Sequence, residues 1–191
     1  RIRMKKKLLY LCSIIIFFSF IFFAFKSDVL IGLKIDSYNG VPVYYNGYTG
    51  NVSGRNKTED GYNLGLKYQC VEYVKRYYYE HLNHKMPYNL GHANSFFNNN
   101  IKDGDKNTAR NLYQFTNPSF TKPEDDDLIV MGGGKFGHVA IVTKVTDNKI
   151  EIIQQNPSNP INTREKFNLI FEDSKWYINN KRILGWLRKK N

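Results

Sequence analysis

Cysteine is scarce in this sequence, which contains only Cys12 and Cys70 among its 191 residues. Cys12 lies within an apolar segment near the N-terminus, so the polar remainder of the chain holds a single thiol. One thiol cannot form the internal disulfide framework that stabilises many small secreted domains. We therefore expect a hydrophobic core to stabilise the fold, and the chain is long enough to bury one.

Acidic residues are absent from residues 1–26, where six of the 28 lysines and arginines are found. Within this stretch Leu8–Phe25 is uncharged and largely apolar, and about 20 such residues cross a bilayer as a helix. The basic residues before it favour a cytoplasmic N-terminus and export of the rest. We expect residues 1–27 to be a signal anchor that holds the protein in the cell membrane with its domain outside, or a signal peptide whose cleavage leaves it secreted.

The charge of the remaining chain excludes one class of partner. Once the six N-terminal cations are set aside, 22 basic residues face 17 acidic ones, and this small excess predicts no nucleic-acid partner. The histidines and cysteines lack zinc-ligand spacing, and Asp125–Asp127 lacks the spaced pattern of a calcium loop. We therefore expect no metal and no cofactor, and we interpret the three aspartates as the solvated start of a strand.

The pattern of apolar residues predicts an α+β domain over residues 36–191, preceded by a linker at residues 28–35. Apolar residues recur at helical spacing between Gln69 and Leu82, and His92–Asn99 is expected to form a second, short helix. Asn51–Asn63 is expected to be a loop, and the Asn-rich Ile101–Thr121 a long surface excursion. Strands are predicted at residues 41–48, 127–131, 137–145, 149–155, 176–178 and 183–187.

Cys70 stands where a polar loop becomes the predicted helix. The partial positive charge of a helix N-terminus favours thiolate over thiol, and the thiolate is the nucleophile. His138 opens an apolar strand and is the best candidate base by position. His81 and His84 lie more than ten residues further along the helix, over about 15 Å from the thiol. A lone buried cysteine can also be an inert packing residue, so this pattern alone leaves both interpretations open.

The strand after His138 offers a group to orient its imidazole. Neighbouring antiparallel strands bring facing side chains within reach, so Gln154 or Asn156 could accept a hydrogen bond from the ring. The backbone N–H of Cys70, helped by a donor such as Gln69, would form the oxyanion hole.

Three segments together resemble the motifs of the CHAP domain family, the cysteine, histidine-dependent amidohydrolases/peptidases: Gln69–Tyr73, Gly137–Val142 and Gln155–Asn156. A closer match is the amidase domain of the glutathionylspermidine synthetase/amidase family, which Asp36–Tyr44 and Ile183–Trp186 also resemble. The resemblance implies a papain-like (NlpC/P60-like) fold, in which an N-terminal helix carrying the cysteine packs on an antiparallel β-sheet. It also implies amide hydrolysis through a thioester, with Cys70 as nucleophile and His138 as base.

This resemblance leaves three functions open. Gln154 occupies the position where the family often has an acid, and an amide can orient an imidazole but cannot stabilise imidazolium by charge. The export signal favours an amidase that cleaves amide or peptide bonds in peptidoglycan. The closer match favours a glutathionylspermidine-type amidase, and the missing acid favours a catalytically inactive binding module.

Overall fold

A computed structural model of the protein describes residues 12–16 and 30–190. Residues 12–16 are helical, while the rest of the predicted anchor Leu8–Phe25 lies outside the described residues. In the two described ranges no helix is both long enough and apolar enough to cross a membrane. The first strand begins at Lys34, two residues before the predicted start of the domain.

The described domain is built mainly from antiparallel strands. In chain order they are β1 (Lys34–Tyr38), β2 (Val41–Tyr44), β3 (Arg55–Lys57), β4 (Asn63–Leu66), β5 (Lys106–Asn107), β6 (Leu112–Thr116), β7 (Leu128–Met131), β8 (His138–Val145), β9 (Lys149–Ile153), β10 (Arg164–Glu172), β11 (Lys175–Ile178) and β12 (Ile183–Arg188). A helix at Cys70–Glu80, called the Cys70 helix below, and a 3-10 turn at Ala93–Phe96 separate β4 from β5.

Eight of these strands form one sheet, in the order β11-β10-β9-β8-β7-β12-β6-β5, and β1-β2 and β3-β4 form two hairpins. Successive side chains of a strand point to opposite faces, and the apolar residues of the central strands alternate between two clusters. Val139 and Ile141 of β8 pack with the Cys70 helix, whereas Ala140 and Val142 pack in the cluster that contains Trp186. The first cluster holds the helix, and therefore Cys70, against the start of β8.

The last third of the domain confirms the strands predicted there. β7, β8 and β9 fall within the predicted runs, with β8 paired to both neighbours, and β11 and β12 match the two closing strands. The Cys70 helix and the 3-10 turn lie inside the two segments predicted as helical. The helix packed on an antiparallel sheet is thus the α+β arrangement expected of a CHAP-like domain.

The polar middle of the chain was predicted wrongly. Ile101–Thr121 is not a surface excursion, because it contains β5 and β6, and β6 pairs with β12 inside the large sheet. Asn51–Asn63 is likewise not simply a loop, since β3 lies within it and β4 begins at its end. The nine-residue β10 was missed because only Phe167 and Leu169 of its residues are buried.

Asp127 is a buried residue, not part of a solvated strand start. Its carboxylate accepts hydrogen bonds from Arg188 at 2.8 and 2.7 Å, and it is 1% exposed. A bidentate guanidinium provides the charge and the donors that a buried carboxylate needs. Of the three aspartates only Asp125 is exposed, while Asp126 is half-buried with φ of 72°.

Candidate active site

The start of the Cys70 helix is shaped by an unusual backbone. Tyr68 has φ of 67°, in the left-handed region, and Gln69 is extended, so the chain turns sharply before the helix begins. Gly65 of β4 has φ of 132°, and a Cβ there would come within 3.2 Å of the Glu72 backbone. Glycine therefore lets β4 pass close to the first turn of the helix, and the turn presents Cys70 as its first helical residue.

Cys70 as a whole is half-buried, but its thiol faces the interior beside the strand that carries His138. Burial raises the pKa of the Cys70 thiol, and the nearby backbone N–H groups of Val139, Val71 and Cys70 itself only partly offset this. The expectation that the helix start would favour thiolate is therefore wrong for this thiol, because desolvation outweighs the helix amides. The proximity of the Val139 N–H places the thiol next to the first residues of β8.

His138 is held by the side chain of Gln154. The His138 Nε2 and Gln154 Oε1 atoms lie 2.9 Å apart, and Gln154 Nε2 donates to the carbonyl oxygen of Asn162 at 3.1 Å. A carbonyl can only accept, so this second bond fixes the Gln154 amide with its oxygen towards the imidazole. The ring must then carry its proton on Nε2, which leaves the Nδ1 lone pair available to accept one.

The imidazole of His138 is neutral around pH 7. Its pKa is lowered to about 4, mainly by burial and further by the charge of Arg182, while the Gln154 hydrogen bond opposes the change. A protonated ring next to Gln154 would gain an amide dipole but no countercharge. Together with the raised pKa of Cys70, this gives a resting site with a neutral thiol and a neutral base.

Asn156 contacts the other side of the site. Its Nδ2 donates to Gln69 Oε1 at 2.5 Å and to the Thr49 carbonyl at 3.1 Å. Gln69 Nε2 in turn donates to the Asn51 carbonyl at 2.6 Å. Of the two candidates for orienting His138, Gln154 makes the contact, whereas Asn156 fixes the side chain of Gln69. A role for Gln69 and the Cys70 N–H in an oxyanion hole stays a prediction.

Gln155 was absent from the predicted site, yet it connects the two halves of it. Its Nε2 donates to the Gln69 carbonyl at 3.0 Å and to Glu72 Oε2 at 2.8 Å, and its Oε1 accepts from the Tyr44 N–H at 2.8 Å. The residue therefore ties the strand end after β9 to the start of the Cys70 helix. Gln155 is completely buried, and nothing in the sequence indicated this, since a polar run after a strand is usually solvated.

Glu72 is the buried charge at the centre of this connection. It is 2% exposed, and its Oε1 accepts from Arg76 Nε at 2.6 Å and from Asn56 Nδ2 at 2.8 Å. With the Gln155 bond on Oε2, the carboxylate has three hydrogen-bond donors, one of which is the cation Arg76. A buried charge requires such partners. Glu72 thereby links the helix to the β3-β4 hairpin as well as to Gln155.

The remaining histidines have other neighbours, as the sequence predicted for His81 and His84. His81 Nε2 lies 3.8 Å from Asp126 Oδ2, His84 Nε2 lies 2.9 Å from the Arg110 carbonyl oxygen, and the His92 ring contacts Phe136. Within residues 12–16 and 30–190 no group of three or more His, Cys, Asp or Glu side chains could hold a metal ion.

Comparison with known proteins identifies relatives for this arrangement. The CHAP domain model matches residues 59–156, which include Cys70, His138 and Gln154. The chain is 30% identical to trypanothione synthetase of Crithidia fasciculata over 119 residues, 61% of this chain and 18% of that protein. It is also 30% identical to the bifunctional glutathionylspermidine synthetase/amidase of Escherichia coli over 149 residues, 70% of this chain and 23% of that protein.

The chain thus spans about a fifth of the length of these curated relatives. The family model covers 98 of its 191 residues, which is just over half. The chain therefore belongs to the CHAP domain family, whose members are in general hydrolases of amide or peptide bonds.

Proposed function

We propose that this protein is an exported cysteine amidase that cleaves amide bonds in peptidoglycan through a thioester. Cys70 is its nucleophile, His138 its base and then acid, and Gln154 the residue that orients the imidazole. The observation that carries the proposal is the 2.9 Å contact between His138 Nε2 and Gln154 Oε1. It leaves Nδ1 of His138 free to accept a proton, and His138 begins the strand that adjoins the Cys70 thiol.

Acylation begins from the neutral pair. As Cys70 Sγ forms a bond to the substrate's carbonyl carbon, its proton passes to Nδ1 of His138, and the carbonyl oxygen becomes an oxyanion. Backbone N–H groups at the helix start, including that of Cys70, are suited to stabilise it. The imidazolium then protonates the amine nitrogen and the C–N bond breaks. The amine departs, and the acyl group remains on Cys70 as a thioester.

Deacylation returns the site to its resting state. His138 Nδ1 accepts a proton from water as the water oxygen attacks the thioester carbonyl. The tetrahedral intermediate expels Sγ, which recovers the proton from His138, and the product leaves as a carboxylic acid. Gln154 bears no charge in either step, so the imidazolium is stabilised only by an amide oxygen and exists only transiently.

Two features of the sequence support peptidoglycan as the substrate. The basic flank and apolar run of residues 1–25 support an anchor or signal peptide that would bring the domain outside the cell membrane. Amide bonds are abundant in peptidoglycan, and the mildly basic domain suits an anionic envelope.

The test is to incubate the full chain with purified peptidoglycan sacculi and to measure newly exposed amines. We expect the wild type to release them and Cys70→Ala to release none. Asn179→Ala, a substitution of an exposed amide on a turn after β11, serves as the control and should retain activity. If the wild type releases no amine from sacculi, peptidoglycan is not the substrate.

A glutathionylspermidine amidase is the second candidate, favoured by the similarity to the Escherichia coli synthetase/amidase. The same preparation should then hydrolyse glutathionylspermidine and leave sacculi intact, and Cys70→Ala should abolish that hydrolysis. A protein that is folded and attacks neither substrate would instead be the inactive binding module, with Gln154 as the physical reason.

A further inference from the structure

A cleft of about 630 Å³ opens beside the 3-10 turn and is not used by the mechanism above. The residues that line it include two aromatics and four asparagines, and we call it the amide cleft: Tyr88, Phe97, Asn98, Asn99, Asn100 and Asn107. Among the described residues that line it, none is charged. Its volume lies within the range of small-molecule sites, about 300–1,000 Å³.

The walls of the amide cleft are held in place by buried polar side chains. Gln114, which is fully buried, accepts from the Asn98 N–H at 3.0 Å and donates to the Asn98 carbonyl at 2.8 Å. Asn107 is 3% exposed and donates to the Phe96 carbonyl at 3.1 Å. The backbone along this wall is therefore fixed at Phe96 and Asn98, which is how a preorganised site differs from a surface loop.

Arg110 fixes the part of the lining that contains Tyr88 and Ser95. It is fully buried, and its Nη1 donates to the Tyr88 carbonyl at 2.6 Å while its Nη2 donates to the Ser95 carbonyl at 3.1 Å. The guanidinium also lies 5.4 Å from the centre of the Tyr88 ring. The Tyr88 side chain is 51% exposed, so its ring is held from behind yet presents a large face to solvent.

The free groups of the amide cleft define the chemistry of its ligand. The side-chain amides of Asn99 and Asn100 are exposed and have no partner among residues 30–190. An amide offers two donors and one acceptor, which matches hydroxyl groups that both donate and accept. An exposed aromatic face adds an apolar platform, and the absence of lining charge disfavours an ionic ligand.

We propose that the amide cleft binds a neutral saccharide. A sugar ring combines an apolar face of C–H groups with a rim of hydroxyls, so it can pack on Tyr88 while Asn99 and Asn100 bind its rim. The turn that contains Ser95 also contacts the loop before His138, since the Asn94 N–H donates to the Phe136 carbonyl at 2.9 Å. Only the 3-10 turn would thus separate a saccharide in the cleft from the loop that precedes His138.

The identification of this saccharide with the glycan of peptidoglycan rests on the proposed function, whereas the saccharide site itself does not. Two neutral probes distinguish the sources: tetra-N-acetylchitotetraose, which shares the acetamido sugars of the wall, and maltotetraose, which lacks them. Their binding to the full chain is measured by calorimetry, separately from amine release.

We expect Tyr88→Ala to weaken saccharide binding about tenfold or more, because the apolar contact with the ring is lost. The double substitution Asn99→Ala and Asn100→Ala should weaken it as well. Phe120→Ala and Asn179→Ala change an exposed aromatic residue and an exposed amide away from the cleft, and should leave it unchanged.

The site is supported if either tetrasaccharide binds and the cleft substitutions weaken that binding. Preference for the acetylated tetrasaccharide supports the glycan of peptidoglycan as the natural ligand. Binding of neither at millimolar concentration, or binding that the cleft variants leave unchanged, overturns the proposal. Amine release from sacculi without saccharide binding would overturn the cleft but not the amidase. Saccharide binding without amine release from sacculi would overturn peptidoglycan as the substrate but not the saccharide site.

Discussion

The side-chain amide of Gln155 donates to the carbonyl oxygen of Gln69 at 3.0 Å. This contact joins the segment after β9 to the residue that precedes Cys70. The same amide group donates to buried Glu72. A single side chain thus sets the position of the Cys70 helix relative to the segment after β9 that carries Gln154. Gln155 is a positioning residue, because its contacts are with the residues around Cys70 and not with a substrate.

Substitution of Gln155 should damage both stability and activity. Gln155→Ala leaves Glu72 Oε2 without its donor, which costs about 1.5–3 kcal/mol for a bond to a charged group. Gln155→Glu should cost more, because it places a second carboxylate beside Glu72 and the Gln69 carbonyl. Denaturant unfolding measures both free energies of unfolding.

The activity of folded Gln155→Ala separates positioning from stability. A displacement of the helix start by about 1 Å should lower kcat about 10²-fold, with less change in KM. Asn179→Ala, which alters an exposed amide, should behave as the wild type. Wild-type kcat in folded Gln155→Ala would contradict the positioning role.

The alkylation rate of Cys70 should report a thiol, not a preformed thiolate. Because burial raises its pKa above the ordinary value, the rate of reaction with iodoacetamide should be low at pH 7 and rise through pH 9. Cys12 is an exposed second thiol, so the measurement uses Cys12→Ser as the parent protein. A rate that is already constant between pH 5 and 8 would indicate a thiolate–imidazolium pair and refute the neutral resting state.

Gln154→Glu should move the acidic limb of the pH–activity profile towards neutral pH. The neutral imidazole is the active base, so activity falls as His138 becomes protonated, with a midpoint near its pKa of about 4. A carboxylate 2.9 Å from Nε2 would stabilise imidazolium and raise that pKa, by about one to three units for a close opposite charge. Gln154→Ala, which supplies no charge, should lower activity without this shift.

His138 should also make the folded protein less stable in mild acid. The unfolded chain takes up a proton at His138 near pH 6.5, whereas the folded chain takes it up only near its pKa of about 4. Stability is therefore unaffected above pH 6.5 and falls between pH 6.5 and 4, by on the order of 3 kcal/mol. The difference in unfolding free energy between wild type and His138→Asn should shrink or reverse over this range; a difference that is constant with pH would contradict the lowered pKa.

The sequence predicted those parts of the site that follow local rules. The helical spacing after Gln69 and the apolar run after His138 were sufficient to place Cys70 and His138 on neighbouring elements. The hairpin between β8 and β9 runs the two strands antiparallel, so the segment after Ile153 lies along the start of β8, and from there Gln154 contacts His138 diagonally. These inferences needed only periodicity and turn geometry.

Other features depend on contacts between distant segments, which periodicity does not encode. Gln155 is buried because Tyr44 and Glu72 meet it from two other elements, and β6 is a sheet strand because β12 pairs with it. The raised pKa of Cys70 follows from burial under the assembled domain, whereas the sequence indicated only the helix start. The polar composition of these segments wrongly indicated that they are exposed to solvent. Buried amides such as Gln114 and Gln155 occupy interior positions where apolar residues are expected.

The Arg188–Asp127 pair tests how far the sheet depends on one buried charge. Arg188 binds Asp127 through Nε and Nη2, and Asp127 also accepts from the Glu124 N–H at 2.7 Å. Arg188→Met leaves the carboxylate buried without a cation, which should lower the free energy of unfolding by about 3–5 kcal/mol. The double variant Arg188→Met with Asp127→Leu removes both charges and should recover much of this loss, because replacing a whole buried pair is far less costly than removing one partner. If the double variant is as unstable as Arg188→Met alone, the loss comes from packing around Arg188 and not from the unpaired charge.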